Sequence, residues 1–252
     1  MDKNLISKKF ACSVETYSEE AVAQQQIAHK MAGLLRQYVC APAINQVVEF
    51  GCGTGLYSKL LVDLYGEQSL IVNDICPDML DYFHRHVNAH IRLLPGDAEK
   101  MHLPCATSLI TSCSAIQWFE DPDTFFKNSI SSLSQGGYLA FSTFGPDNVK
   151  EVSRLTGRGL RYLSLHELEH KLKPHYEICY AAEERLTYTF ASSMDVLRHL
   201  KRTGVTGLGE RPMSRAELGS FNRAYESKYK TKNGVYLTYH PIYIIAKKKN
   251  LK

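Results

Sequence analysis

Three acidic residues and three glycines carry the first chemistry that can be read from this chain. Glu49, Asp74 and Asp97 each close a short apolar run that reads as a buried strand. A carboxylate at the second strand end can accept hydrogen bonds from two ribose hydroxyls. One at the third can accept from the exocyclic amine of a purine. Just past Glu49 stand Gly51, Gly53 and Gly55, separated by Cys52 and Thr54. Glycines there allow a sharp turn and a close approach of backbone to ligand. The helix start that follows adds unpaired N–H groups. A single acid could be a helix cap. Three acids at three successive strand ends, all on one side, point to a bound nucleoside.

The same residues exclude neighbouring chemistries. The glycine spacing is not G-x-G-x-x-G, and no G-K-[ST] follows as in a phosphate-binding loop. A nicotinamide enzyme also uses a ribose-binding acid, but no hydride-transfer constellation accompanies this one. The ten histidines contain no H-E-x-x-H, and His84 and His86 fall on different sides of a helix, so no metal site is expected. The seven cysteines contain no C-x-x-C, which suggests free thiols in a reducing, cytoplasmic setting. Cys52 reads as packing rather than as a nucleophile.

Elements of matching period must position these residues. Phe10, Val14 and Tyr17 recur at helical spacing and predict a short helix or a segment folded over the body. Ala21, Gln24, Ile27, Ala28, Met31, Leu34 and Leu35 form one face of a longer helix. Strands are predicted near 46–50, 69–74, 91–97, 108–112 and 138–142, with helices at 56–65, from Pro77, and at 122–133. This alternation is an α/β pattern: a doubly wound, mostly parallel sheet with helices on both faces. Its ligands sit beyond the C-terminal strand ends. Further on, 167–173 reads as a helix, and 176–183 and 185–190 as two antiparallel strands. Ser192 or Ser193 caps a helix through Lys201. Ser214 and Glu217 fit a capping box. Residues 235–239 and 242–246 are strands, the last an edge or penultimate one.

At 252 residues, 44% of them apolar and 22% charged, the chain reads as one soluble globular domain. Its 30 basic and 26 acidic residues leave a formal charge of +4, weak evidence for an anionic partner. No apolar run suggests a membrane span or a secretory leader.

The glycine turn, Asp74, the sequence Gly96-Asp97-Ala98 and the pair Gly136-Gly137 resemble the class I S-adenosylmethionine-dependent methyltransferases. More narrowly, the chain is similar to the malonyl-acyl-carrier-protein O-methyltransferases of biotin biosynthesis. That likeness runs from Phe10, Tyr17, Ala21 and Gln24 to the close at 234–239, and includes residues 114–118. It implies a seven-stranded Rossmann-like fold and S-adenosyl-L-methionine as cofactor. It implies that Glu49 and the backbone of Gly51, Cys52, Gly53 and Gly55 hold the methionine end. Asp74 would take the ribose, with Ile75 and Met79 near the adenine. Asp97 and Ala98 would meet the adenine edge, and Ser114 would border the sulfonium. Tyr17 and Gln24 would belong to a lid. Residues 1–40 would form that lid segment, 41–145 the cofactor-binding core, 146–232 the substrate side, and 233–252 the last strands and a basic tail.

The implied reaction asks little of the protein. A malonyl carboxylate has a reference pKa of about 4 and is ionised at neutral pH, so no general base is needed. Alignment and exclusion of water are the protein's tasks. An arginine suits the carboxylate, since its fork makes two parallel hydrogen bonds. Arg154, Arg158 and Arg161 are candidates, and the resemblance favours Arg161. Trp118, Gln117 and Tyr239 are further pocket candidates. The partner would be malonyl-acyl-carrier protein, with malonyl-coenzyme A a second acceptor. Basic residues from Lys150 to Arg215 could dock an acidic carrier. The small basic excess, and the lack after strand four of the tetrapeptide of amino-methylating DNA enzymes, argue against nucleic acid. Two alternatives stay open: another small carboxylate or hydroxyl acceptor, and a cofactor-binding module without catalysis.

Overall fold

A computed structural model describes residues 3–12, 14, 21–39, 44–88, 90–204 and 213–250. The chain opens with helices α1 (Lys3–Ala11) and α2 (Val22–Tyr38). A repeating β–α succession follows: β1 (Val47–Phe50), α3 (Leu56–Tyr65), β2 (Leu70–Asp74), α4 (Pro77–His86), β3 (Arg92–Pro95), β4 (Thr107–Cys113), α5 (Pro122–Ser132) and β5 (Leu133–Phe144). Then come α6 (Lys150–Thr156), α7 (Leu165–Leu172), β6 (Tyr176–Glu183), β7 (Leu186–Phe190), α8 (Ser193–Arg202), α9 (Arg215–Lys228), β8 (Lys230–Thr231), β9 (Gly234–Tyr239) and β10 (Pro241–Lys248).

Seven strands form one sheet in the order β3-β2-β1-β4-β5-β10-β6, parallel except for β10. β1, β2 and most of β4 are buried along their length, because helices cover both faces. On one face the apolar stripes of α2, α3 and α4 pack through Ile27, Met31, Leu61, Leu80 and Phe83. On the other, α5 and α7 pack through Phe125, Phe126, Leu168 and Leu172. The doubly wound sheet and its seven strands are as expected. The face of α2 is also as expected, with Gln24 buried among the apolar side chains.

Side-chain caps start several helices, as expected at Ser192 and Ser214 and in addition at Ser164 and Asp121. Ser164 with Glu167, and Ser214 with Glu217, form complete capping boxes. Asp121 accepts from the N–H groups of Asp123 and Thr124 ahead of Pro122, and Ser192 caps α8.

Residues 176–190 differ from expectation. β6 and β7 do not pair with each other. β6 pairs with β10 in the large sheet, and β7 with β9 in a separate three-stranded sheet, β7-β9-β8. Only two residues separate β6 from β7, and they carry the chain from one sheet to the other without a hairpin pairing. Glu184 N–H donates to the Pro241 carbonyl, and its carboxylate accepts from Lys30 and Tyr243. Arg185 bridges Asp147 and Glu183. The partner ribbon bends at the same level, at His240. Gly145 is required there, because a Cβ would sit 2.5 Å from the His240 ring. β9 runs into β10, whose first residue pairs with the last of β5, so the second sheet joins the first at the C-terminal end of β5.

Candidate functional site

The strand order reverses between β1 and β4, and the loops after these two strands frame a cleft. About 1010 Å³ of space, open to solvent at its mouth, lies there. Gly51, Gly53 and Gly55 all have positive φ, at 70°, 52° and 82°. Each position does something different. A Cβ on Gly51 would lie 2.4 Å from the Ala115 Cβ, so this glycine lets the loop after β4 close against it. A Cβ on Gly55 would press on Val87 and Phe83 of the α4 region. A Cβ on Gly53 would meet no protein atom within 4 Å, because it would project into open space. Gly51, Cys52 and Gly53 line the cleft, while Gly55 sits behind them as the first cap of α3.

The three strand-end acids have different environments. Glu49 is 1% exposed and, among the described residues, accepts from Ser58 Oγ at 2.5 Å. Burial pushes its pKa up to about 8, with the Ser58 hydrogen bond pulling the other way and Asp74 adding repulsion. A buried carboxyl with one donor is a ready seat for a cationic group. Asp74 accepts from Gly53 N–H at 2.9 Å and Cys76 N–H at 2.8 Å, so it anchors the glycine turn to β2. Burial raises its pKa, and the N–H groups of Cys76, Gly53 and Ile75 oppose the rise. Asp97 accepts from Lys3 Nζ at 2.7 Å, and Lys3 also reaches Glu99. A ligand amine would have to share Asp97 with Lys3.

The apolar part of the cleft comes from Ile75, Met79, Ala98, Tyr57 and Ala28, and α1 covers it with Ile6 and Phe10. Burial holds the Cys52 thiol well above its ordinary range, consistent with packing rather than nucleophilic chemistry.

A second cavity of about 340 Å³ adjoins the first. The two share Phe10, Gln24, Ser114 and Trp118 as a common wall. Trp118 meets Phe10 edge-on, with ring centroids 5.5 Å apart. Gln24 Oε1 and Ser114 Oγ are buried in this wall with no partner in hydrogen-bond geometry among the described residues. Beyond it lie Gln117, Phe144, Asn148, Tyr162, Thr203 and Tyr239. Tyr239 Oη pairs with His199 Nε2 at 2.7 Å. Among the described residues, no arginine or lysine lines this cavity.

Of the residues singled out in the sequence, Glu49, Gly51, Cys52, Gly53, Asp74, Ile75, Met79, Asp97, Ala98 and Ser114 converge on the first cleft. Trp118 and Ser114 line both spaces, and Gln117 and Tyr239 line the second. Arg161 is exposed and lines neither; its neighbour Tyr162 points inward instead. Tyr17 lies outside the described residues. Lys3, Tyr57, Asn148 and Thr203 were not anticipated. The short helix expected around Phe10, Val14 and Tyr17 meets α1 at Phe10 alone, Tyr17 lies outside the described residues, and nothing local marks Asn148. Several of the basic residues considered for docking are held by acids of the chain: Lys150 by Asp147, Lys171 by Asp123 and Arg198 by Asp195. No described helix is long and apolar enough to cross a membrane.

Comparison with known proteins agrees with this geometry. Residues 48–141 match a methyltransferase domain family. The chain is 43% identical, over its full length and that of the relative, to a malonyl-acyl-carrier-protein O-methyltransferase of Bacteroides thetaiotaomicron. It is 47% identical to the enzyme of the same name from Bacteroides fragilis, over 98% of this chain and 51% of the relative, so it spans about half of that longer protein. Among solved structures, the YcgJ protein of Bacillus subtilis superposes with a TM-score of 0.62 at 17% identity, over 88% of this chain and 100% of that one.

Proposed function

The chain belongs to the malonyl-acyl-carrier-protein O-methyltransferase family and uses S-adenosylmethionine, and from that premise we propose that it methylates the free carboxylate of malonyl-acyl-carrier protein. The product is the malonyl methyl ester, an early step toward biotin. The observation that carries this reading is the pair of adjoining cavities with one shared wall. One fits a nucleoside with a cationic tail, and the other fits a small acyl acceptor.

In this proposal the first cleft seats the cofactor, which supplies a methyl group activated by positive sulfur. Glu49 receives the ammonium of the methionine end. The Gly51 and Gly53 backbone approaches the ligand where no side chain intervenes. Asp74 has a free lone pair on each oxygen for the ribose while still holding the glycine turn. Ile75 and Met79 flank the adenine, and Asp97 with Ala98 meets its edge once Lys3 yields. Gln24 and Ser114 border the junction through which the methyl passes, and Trp118 keeps water from it. Arg161, on the exposed rim next to Tyr162, draws the acidic substrate toward the mouth. Among the described residues the second cavity offers neutral donors, which suits the chemistry. A tight ion pair would stabilise the carboxylate and blunt its attack.

The experiment is methyl transfer from labelled S-adenosylmethionine to malonyl-carrier protein, malonyl-coenzyme A and unmodified carrier protein. Label on the malonyl carrier and none on the unmodified carrier is the expected result. Label on none, with cofactor binding intact, would turn the proposal toward another acceptor.

A further inference from the structure

Four hydroxyls line the second cavity: Ser114, Tyr162, Thr203 and Tyr239. Two are already engaged. Thr203 Oγ donates to the His199 carbonyl at 2.9 Å, and Tyr239 Oη is paired with His199 Nε2. Ser114 stands in the wall shared with the cofactor cleft. Tyr162 stands on the wall belonging to the second cavity alone, and the bond it makes there is with Asn148.

The state of the Tyr162 hydroxyl follows from its neighbours. The backbone N–H of His240 donates to Asn148 Oδ1 at 3.2 Å. That contact fixes which end of the Asn148 amide is oxygen, because an N–H cannot face an NH₂. The Asn148 Nδ2 must therefore be the donor to Tyr162 Oη, at 3.1 Å. Tyr162 accepts there, so its own hydrogen cannot be spent on Asn148. Asn148 is 2% exposed and cannot swing away. Burial pushes the Tyr162 pKa up to about 12, so the hydrogen stays on the phenol at neutral pH.

We infer that Tyr162 donates the hydrogen bond that seats the acceptor's carboxylate in the second cavity, with Asn148 aiming it. The inference rests on the acceptor reading above and names the group that executes it. A neutral phenol orients the carboxylate without cancelling its charge, which an arginine would do more strongly.

The test is calorimetric binding to the chain saturated with S-adenosylhomocysteine. The probes are malonyl-pantetheine and its methyl ester, which lacks the charged acceptor. The wild-type chain prefers the malonyl form. Tyr162→Phe weakens malonyl binding about tenfold to a hundredfold, the range for a hydrogen bond to a charged group, and leaves the ester unchanged. Unaltered S-adenosylhomocysteine affinity certifies that the variant is folded. Asn148→Asp is nearly isosteric but turns the aiming donor into an acceptor that captures the phenol hydrogen. It produces a similar loss, and costs little more when added to Tyr162→Phe. A malonyl preference that survives in Tyr162→Phe overturns the assignment alone. A wild-type chain with no malonyl preference overturns the acceptor reading and the assignment with it.

Discussion

The two cavities share a wall but are assembled in opposite ways. The cofactor cleft is built from the ends of β1, β2, β3 and β4 and the short loops that follow them. Its charged groups are three strand-end acids and the Lys3 that holds one of them, and the glycine turn shapes its wall through backbone conformation. The second cavity draws Gln24 from α2, Asn148 and Tyr162 from around α6, Thr203 from the end of α8 and Tyr239 from β9. Its polar groups are neutral. A cationic, invariant cofactor rewards fixed anionic seats. A carboxylate that must remain reactive rewards uncharged donors. The difference is one of electrostatic task as much as of shape.

The glycine loop offers the largest break in this comparison. Gly51→Val forces a side chain into Ala115 from a positive-φ backbone, and is expected to abolish cofactor binding or folding. Gly53→Ala separates these two outcomes. Its Cβ meets no protein atom, so thermal denaturation should register a loss of only about 1–2 kcal/mol from the left-handed backbone. Calorimetric affinity for S-adenosylhomocysteine should still fall by more than that stability loss explains, because the methyl group fills ligand space.

Glu49 gives the next effect, through pH. Its folded pKa is raised to about 8, mainly by burial, above the ordinary carboxyl value of 4.5. The ligand-free chain therefore holds a proton there. That contribution to stability is complete below about 4.5 and is lost as pH rises through about 8. Cofactor binding needs the charged form, so affinity should climb as pH rises from 6 toward 8, by at most about tenfold per pH unit. Glu49→Gln should flatten both the affinity rise and this part of the stability loss. An unchanged affinity profile in that variant would remove Glu49 from the ammonium seat.

Smaller effects sharpen the account. Lys3 holds Asp97 and Glu99 and so competes for the proposed adenine edge. Lys3→Met should tighten S-adenosylhomocysteine binding by about twofold to fivefold, the range of a partly exposed ion pair. A weaker affinity would mean that Lys3 closes over the ligand instead. The smallest effect concerns the carrier: half-saturation by malonyl-carrier protein should rise with salt, while that for malonyl-pantetheine stays level. Equal salt dependence for both would deny a charged docking face.

The same contrast explains what the sequence could disclose. The glycine triplet and the strand-end acids are local signals, each interpretable within a few residues, and all three glycines do adopt left-handed backbone. The capping boxes at Ser164 and Ser214 are local in the same sense. The segment 176–190 reads as two antiparallel strands, but the two join different sheets, and the residues between them are held from afar by Lys30, Asp147 and Pro241. Asn148 and Tyr162 are 14 positions apart, and the contact that orients Asn148 comes from His240, 92 positions away. No spacing rule links such residues. Arginine at 161 drew attention by its charge, while the inward-facing neighbour carried no motif.

The central claim is that the methyl group ends on the malonyl carboxylate. The direct measurement is intact-protein and fragment mass spectrometry of malonyl-carrier protein after incubation with the chain and S-adenosylmethionine. The account predicts a gain of one methyl-for-hydrogen replacement, located on the malonyl group and removed by mild base as an ester should be. A methyl group found elsewhere on the carrier, or none found while the chain binds S-adenosylmethionine, would contradict it.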